Sequence, residues 1–364
     1  MKVGIITFHA SHNYGSMLQA YALQQTVLAL GHECEIINFR TAKQKKMYNP
    51  LFLKKAWVKN LNFIRHPLLT VKDILKHQLF EKFIREHFQL TPKEYRTKAE
   101  LDSEQFDFDC YISGSDQIWN TNCGDFSTVY YLDFVTKGRR ISYAPSMGPI
   151  PDIEIKDNFH EFITGSLSRY NSISVREPGT ANRIAQITGK RPIVTIDPTL
   201  LLSRSRWSCL AGEKPLINGN YILLYTPWYE DYRDLYRKAA DFAEKTGEKV
   251  ICTLPDGHKE WCRNPHFEYF TAVGPTEFLN LIKYSRYVFC GSFHAVAFSL
   301  IFAKPFYAHN GMADSRISHL LKLTSLESCT EMPDSVMAHD FSTVQKQLEP
   351  FIESSRAFLK KALE

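Results

Sequence analysis

Apolar runs along the chain are interrupted at regular intervals by short polar stretches that carry glycine or proline. Residues 3–8 alternate Val3, Ile5, Ile6 and Phe8 around Gly4 and Thr7, which predicts a short buried strand. The polar loop 9–16 follows, and residues 17–30 then place Leu18, Tyr21, Ala22 and Gln25 at helical spacing. Gly31 stops that helix, and residues 34–39 predict a second strand. Strand, loop, helix, glycine and strand in this order open a doubly wound sheet. Ligands of such sheets lie at the carboxyl ends of the strands, so loop 9–16 borders an expected site.

The same texture returns after residue 100. Strands predicted at 108–112, 140–144, 173–175 and 193–196 give way respectively to Ser113-Gly114-Ser115-Asp116-Gln117, Pro145-Ser146-Met147-Gly148-Pro149, Arg176-Glu177 and Asp197-Pro198-Thr199. A charged stretch with turn formers, from Ser203-Arg204-Ser205-Arg206 to Gly212-Glu213-Lys214-Pro215, marks a domain boundary. The alternation then restarts, with strands at 221–226, 249–254, 287–290 and 306–308 and helices at 232–246, 276–284 and 295–302. The expected architecture is therefore α/β, with two Rossmann-like doubly wound domains facing a cleft. The first spans 1–205 with a helical insertion at about 41–100, and the second spans 206–340. Residues 341–364 form a C-terminal helix expected to pack back on the first domain.

Composition changes this picture little. At 364 residues the chain exceeds one ordinary core, and its 44% apolar and 23% charged residues are those of a globular protein. The 13% aromatic content favours large packed interfaces. A net charge of +5 suits an anionic substrate, and without a zinc-finger or RNP signature nucleic acid is not expected as a partner. Met1 leads straight into a strand rather than a leader peptide, and no apolar run approaches the ~20 residues needed to cross a bilayer. The eight cysteines form no CxxC pair, so a reducing cytoplasm is the expected compartment.

The insertion is where charge concentrates. Between residues 41 and 90 there are 11 Lys and Arg against 3 acids, interleaved with Phe52, Leu53, Trp57, Leu61, Phe63, Ile64, Leu68, Leu69 and later apolar residues. Helices with basic faces, broken at Pro67, are expected. Such a face is either simply solvated or a peripheral contact with a membrane surface.

The candidate chemistry lies at the strand ends. In Cys290-Gly291-Ser292-Phe293-His294 a buried strand stops at glycine, Ser292 is placed to cap the next helix, and His294 falls in its first turn. The free N–H groups of a helix start suit phosphate or carboxylate, and imidazole there can exchange protons near neutral pH. Read alone, His294 fits a structural, hydrogen-bonded histidine equally well. Arg176 suits bidentate recognition of an anion or a surface ion pair with Glu177. Ser115, Asp116 and Gln117 describe either a ligand loop or a turn, and Asp197 either a hydroxyl binder or a cap. The chain has no GxGxxG, Walker, HExxH or GxSxG motif.

Taken together, these segments resemble the polysaccharide pyruvyl transferase family. The resemblance rests on Asn13-Tyr14-Gly15 with Leu18-Gln19-Ala20-Tyr21, Gly114-Ser115-Asp116-Gln117-Ile118-Trp119-Asn120, and Ser142-Tyr143-Ala144 with Ser146-Met147-Gly148. It continues in Ser174-Val175-Arg176-Glu177, Asp197-Pro198-Thr199, Gly274-Pro275-Thr276-Glu277-Phe278 and Ser292-Phe293-His294. It implies a GT-B-like fold and transfer of a pyruvyl group, without metal or cofactor, from phosphoenolpyruvate to a glycan or lipid-linked glycan of a surface-polysaccharide precursor. In that reading His294 handles protons, while Arg176, Asn13, Gly15, Ser115, Asp116, Gln117, Ser292 and Arg316 bind substrate, Arg316 from a loop. The compartment implied is the cytoplasm or the inner face of the membrane. The chain departs from the family pattern by carrying Gly291 in place of an aspartate and Ala295 in place of a glycine. The alternatives are a nucleotide-sugar glycosyltransferase on the same fold and a non-catalytic member of it.

Overall fold

The computed structural model describes residues 1–49, 67–149, 157–227, 232–254, 262–332 and 340–364. Apolar residues 52–64 of the insertion, from Phe52 to Ile64, lie outside the described residues, as do Lys54, Lys55, Lys59 and Arg65.

The first sheet contains β1 (Lys2–Ile6), β2 (Glu33–Ile36), β3 (Cys110–Ser113), β4 (Arg139–Ser142), β5 (Ser172–Val175) and β6 (Ile193–Val194). They are all parallel, in the order β2-β1-β3-β4-β5-β6. The second sheet contains β7 (Tyr221–Tyr225), β8 (Lys249–Cys252), β9 (Phe267–Tyr269), β10 (Tyr287–Cys290) and β11 (Phe306–Ala308), also parallel, in the order β11-β10-β7-β8-β9. Two doubly wound α/β units of this kind are the GT-B-like fold. Sequence periodicity did not predict β9, because three residues at a sheet edge are too short to show alternation.

Helix α1 (Tyr14–Ala29) begins three residues earlier than apolar periodicity predicts, because Asn13 accepts hydrogen bonds from Gly15 N (3.0 Å) and Ser16 N (3.3 Å) and so sets the start. Within the insertion, α2 (Ala42–Tyr48) opens with a Thr41–Gln44 capping box, and α3 (Pro67–His87) starts at proline, as a first-turn proline allows. Phe80, Phe83 and Ile84 of α3 are buried in the core, so this helix is amphipathic and one face is committed to packing. Its outer face exposes Val71 and Leu75.

The remaining helices are α4 (Lys98–Asp102), α5 (Asp157–Leu167), α6 (Pro178–Thr188), α7 (Arg204–Ala211), α8 (Arg233–Thr246), α9 (Pro275–Tyr284), α10 (Phe293–Phe302), α11 (Ser315–Thr324) and α12 (Phe341–Leu363). None of the described helices is long and apolar enough to cross a membrane.

One hydrophobic cluster runs through both units. It joins Val3, Ile5, Met17, Leu18 and Tyr21 of the first to Phe278, Leu281, Val296, Phe298 and Leu300 of the second. Tyr14 stacks on Phe278 (4.5 Å between ring centres, 11° apart), and Trp207 packs between Tyr21 and Phe298. Aromatic rings therefore pack where the two units meet. That interface is a shared core, and it fixes one unit's strand ends relative to the other's.

Helix α12 returns to the first unit. Ser355 Oγ accepts from Ile196 N (3.0 Å), and Arg356 donates to Leu201 O (2.6 Å), so the helix grips the turn that follows β6 from both sides. Ser355 is buried, and removing its oxygen leaves the Ile196 N–H without a partner. Ser355→Ala is expected to lower unfolding free energy by about 1–3 kcal/mol, which urea denaturation of the two proteins will measure.

Candidate active site

Both sheets reverse strand order at one point, between β1 and β3 in the first and between β7 and β10 in the second. The loops leaving these strands open onto crevices at the sheets' carboxyl edges. The interface brings the two crevices together so that the start of α1 faces the start of α10. The contact is close enough to dictate a residue type, because a Cβ added to Gly15 would lie 2.0 Å from His294 Nδ1 and 2.4 Å from its Cγ. Only glycine lets the imidazole rest against the first turn of α1.

His294 is 7% exposed, and its Nε2 lies 3.5 Å from Asp197 Oδ2. The same oxygen is 3.0 Å from Arg176 Nη2, which also donates to Ser115 Oγ at 2.8 Å. Asp197 thus bridges a guanidinium from the end of β5 and an imidazole from the other unit. Its second oxygen accepts from Thr199 N (2.9 Å) and Thr199 Oγ1 (2.7 Å). Burial alone would push the Asp197 carboxyl up, but the charges of Arg176 and His294 hold it well below the usual carboxylate range. Asp197 is therefore an anion at neutral pH, with its Oδ2 facing both Arg176 and the His294 imidazole.

Arg176 is 2% exposed, and its ion pair is with Asp197, not with Glu177. The Phe293 ring lies against the guanidinium, 5.1 Å from Cζ, so two neighbouring residues of the second unit cover Arg176 and meet Asp197. The Arg176 Nε and Nη1 atoms are buried with no hydrogen-bond partner among the described residues. A buried guanidinium with two unpaired donors is costly unless something accepts from them, and an oxyanion is a group that would.

The candidate residues from the sequence divide into those that enter this cluster and those that do not. Ser115 is fully buried and gives its hydroxyl proton to Ala144 O (2.7 Å) while accepting from Arg176, so it holds the guanidinium in place. Asp116 accepts from Ser16 Oγ (2.5 Å) and Gln117 N (2.8 Å), and its Oδ1 lies 3.9 Å from Arg176. Asp116 and Ala144 both have left-handed backbones, with φ of 77° and 50°, which is unusual for residues with side chains. Asn13 uses its carbonyl oxygen to cap α1. Gln117 turns away and accepts from Asn120 Nδ2 (3.0 Å).

Two expectations need correction. Ser292 occupies the N-cap position of α10 but makes no capping bond with its side chain, which leaves the first-turn N–H groups uncapped by that hydroxyl. Arg316 is not in a loop. It lies in the first turn of α11, where its Nε bonds Asp314 Oδ1 at 2.9 Å and its Nη2 bonds Asp314 Oδ2 at 2.5 Å. Its charge still reaches Glu177 and Asp116 across the crevice. Glu177 is fully buried and accepts from Ser146 Oγ (2.9 Å) and Thr180 Oγ1, and burial raises its carboxyl.

Sequence reasoning missed the bridging role of Asp197, the cover provided by Phe293 and the Ser16–Asp116 bond. Each is a contact between distant segments. At Gly291, a Cβ would lie 2.6 Å from the Tyr232 ring, so the space beside this glycine belongs to an aromatic side chain.

Among the described residues, one group of ligand-type atoms is close enough to share a metal ion, namely His12, His77 and Glu81, mutually within 4.8 Å. Arg40, however, donates from Nη1 to Glu81 Oε2 (3.1 Å) and from Nη2 to Oε1, so both carboxylate oxygens already serve a guanidinium. That arrangement does not suit a dication.

Comparison with known proteins agrees with this architecture. The polysaccharide pyruvyl transferase profile matches residues 13–308, and the chain belongs to that family. No curated protein sequence matches the chain. Among solved structures it is similar to the spinosyn rhamnosyltransferase SpnG (TM-score 0.51, 11% identity, all of both chains covered). It is also similar to S. aureus MnaA in a co-structure with UDP (TM-score 0.51, 10% identity, 99% of this chain and 90% of that one). At such identities the likeness is one of fold.

Two predictions follow from the packing of the β1–α1 loop. Gly15→Ala is expected to displace His294 and cost about 1–3 kcal/mol of stability, as overpacking does. Denaturation together with the His294 imidazole NMR signals will test this, and unchanged signals would contradict the contact. At the base of the loop, His9 is fully buried, and burial followed by the Arg40 charge lowers its pKa to about 4. The unfolded chain binds that proton near pH 6.5, so this contribution to stability is complete above pH 6.5 and lost as pH falls towards 4. Its full size is about 3 kcal/mol. The melting temperature should therefore fall less between pH 7 and 5 in His9→Gln than in the wild type.

Proposed function

We propose that this member of the polysaccharide pyruvyl transferase family transfers the pyruvyl group of phosphoenolpyruvate to a sugar of a surface-polysaccharide or glycolipid precursor, forming a ketal. The observation that carries the reading is the buried Arg176, with two unpaired donors, beside the Asp197–His294 pair. Phosphoenolpyruvate presents a carboxylate and a phosphate on adjacent atoms. An unpaired Arg176 donor suits the first, and the first-turn N–H groups of α10 suit the second.

Ketal formation requires a proton on the enol methylene, which leaves the central carbon open to attack. One sugar hydroxyl oxygen bonds to that carbon, a second replaces the phosphate oxygen, and inorganic phosphate departs. Of the two hydroxyl protons released, one balances the new methyl group and the other leaves with phosphate. His294 is the group assigned to move them. The anionic Asp197 lies beside the ring, its Oδ2 3.5 Å from His294 Nε2. Because phosphoenolpyruvate is a cytoplasmic metabolite, the reaction belongs in the cytoplasm, at the inner membrane face when the acceptor is lipid-linked.

The test is release of phosphate from phosphoenolpyruvate in the presence of glycan or lipid-linked glycan acceptors. His294→Ala is expected to lower kcat by about 10²–10⁴-fold, the usual span for a lost acid–base group. Arg176→Lys, which loses the planar fork, should raise KM for phosphoenolpyruvate by about tenfold or more. Full activity in His294→Ala removes that residue from the chemistry. Thermal stabilisation by a nucleoside diphosphate and none by phosphoenolpyruvate would instead favour a glycosyltransferase.

A further inference from the structure

On the other side of the β1–α1 loop, a concavity of about 240 Å³ opens between that loop, α2 and α3. Its wall carries His12 from the loop, Gln44 and Tyr48 from α2, His77 and Glu81 one helical turn apart on α3, and Arg40 after β2. The His12 ring is held in a stack between Phe80 (4.9 Å, 11°) and Tyr48 (5.2 Å, 26°), and its Nε2 meets Glu81 Oε1 at 3.0 Å.

The formal charges in this wall cancel in pairs. Arg40 is matched by Glu81, and Lys45 by Glu94 at 2.5 Å. Burial also lowers the pKa of His12, which disfavours a third cation. A bare anion would find the Arg40 charge already neutralised, and a metal ion would have to displace Arg40 from both oxygens of Glu81. What remains is a dense set of planar donors and acceptors (carboxylate, guanidinium, amide and imidazole) beside aromatic rings. That lining recognises a neutral ring bearing several hydroxyls. The volume lies below the usual range for a drug-sized ligand, so it fits one such ring.

The position agrees with that chemistry. His12 and Gly15 are three Cα steps apart, at most about 11 Å, and Gly15 touches His294. The concavity and His294 therefore lie on the two sides of one loop.

We propose that this concavity holds one hexose-sized sugar of the acceptor glycan, with Arg40, His77 and Glu81 engaging its hydroxyls. The inference rests on the pyruvyl transferase reading for what the sugar is there to do, but its binding can be measured separately. Methyl glycosides of glucose, galactose, mannose and N-acetylglucosamine, each at about 10 mM so that a millimolar Kd is mostly saturated, would be screened by saturation-transfer NMR on the full chain.

At least one glycoside is expected to bind, with Kd raised fivefold or more in His77→Ala and the wild-type Kd for phosphoenolpyruvate kept within twofold. Tyr48→Ala provides the second variant should His77→Ala fail to fold. No binding by any glycoside, or equal binding by wild type and a folded variant, overturns the proposal. So does zinc or orthophosphate binding that is lost in the same variants while no glycoside binds. Glycoside binding without phosphoenolpyruvate binding would leave the sugar subsite standing and remove the donor assignment.

Discussion

The tips of two helices meet where Gly15 of α1 accepts the imidazole of His294 from α10, and the geometry around the crevice depends on that contact. Each helix start carries positive potential from its unpaired N–H groups, so bringing two together is unfavourable until negative charge lies between them. Asp197 supplies part of that charge. The Arg176 guanidinium adds a third positive element whose remaining donors face inward without partners. The result is a buried guanidinium that lies 3.0 Å from the Asp197 carboxylate and 3.9 Å from that of Asp116 and still keeps two donors without partners.

That arrangement holds only if the two units keep their distance to within a fraction of an ångström. The shared apolar core provides this, with Tyr14, Tyr21, Trp207, Phe278 and Phe298 packed across the junction. The C-terminal helix adds a second restraint, since Ser355 and Arg356 grip the segment on either side of Asp197. The carboxylate that bridges Arg176 and His294 is thus held from behind by the end of the chain. Motion between the units and the geometry of the bridging carboxylate are mechanically linked.

The insertion has a different role from its charge alone. Helix α3 gives one face to the core and brings His77 and Glu81 to the loop that carries His12. Two of its acids are matched locally, Glu81 by Arg40 and Glu94 by Lys45. The segment is therefore part of the crevice wall as well as a basic surface.

Much of the fold was legible in the sequence because strands and helices leave a period. The alternation of short apolar runs with glycine-ended helices identified ten of the strands the structure contains, and with them two doubly wound units. Position at strand ends was enough to single out Arg176 and His294 as candidates. What each of them touches was not legible. Asp197 read as a hydroxyl binder or a cap, and it does cap the turn at Pro198–Leu201, but its bridge to Arg176 and His294 exists only once two sheets are docked. Ser292 has the residue type of a cap yet makes no cap bond, and Arg316 is bound by the aspartate two positions before it. The resemblance gave Gly15 a substrate contact and marked Gly291 as a departure, whereas packing places an imidazole against one and the Tyr232 ring against the other. Local pattern is a property of neighbouring residues and is written in the chain. Burial, charge pairing and close approach belong to segments far apart in sequence, and only the tertiary structure decides them.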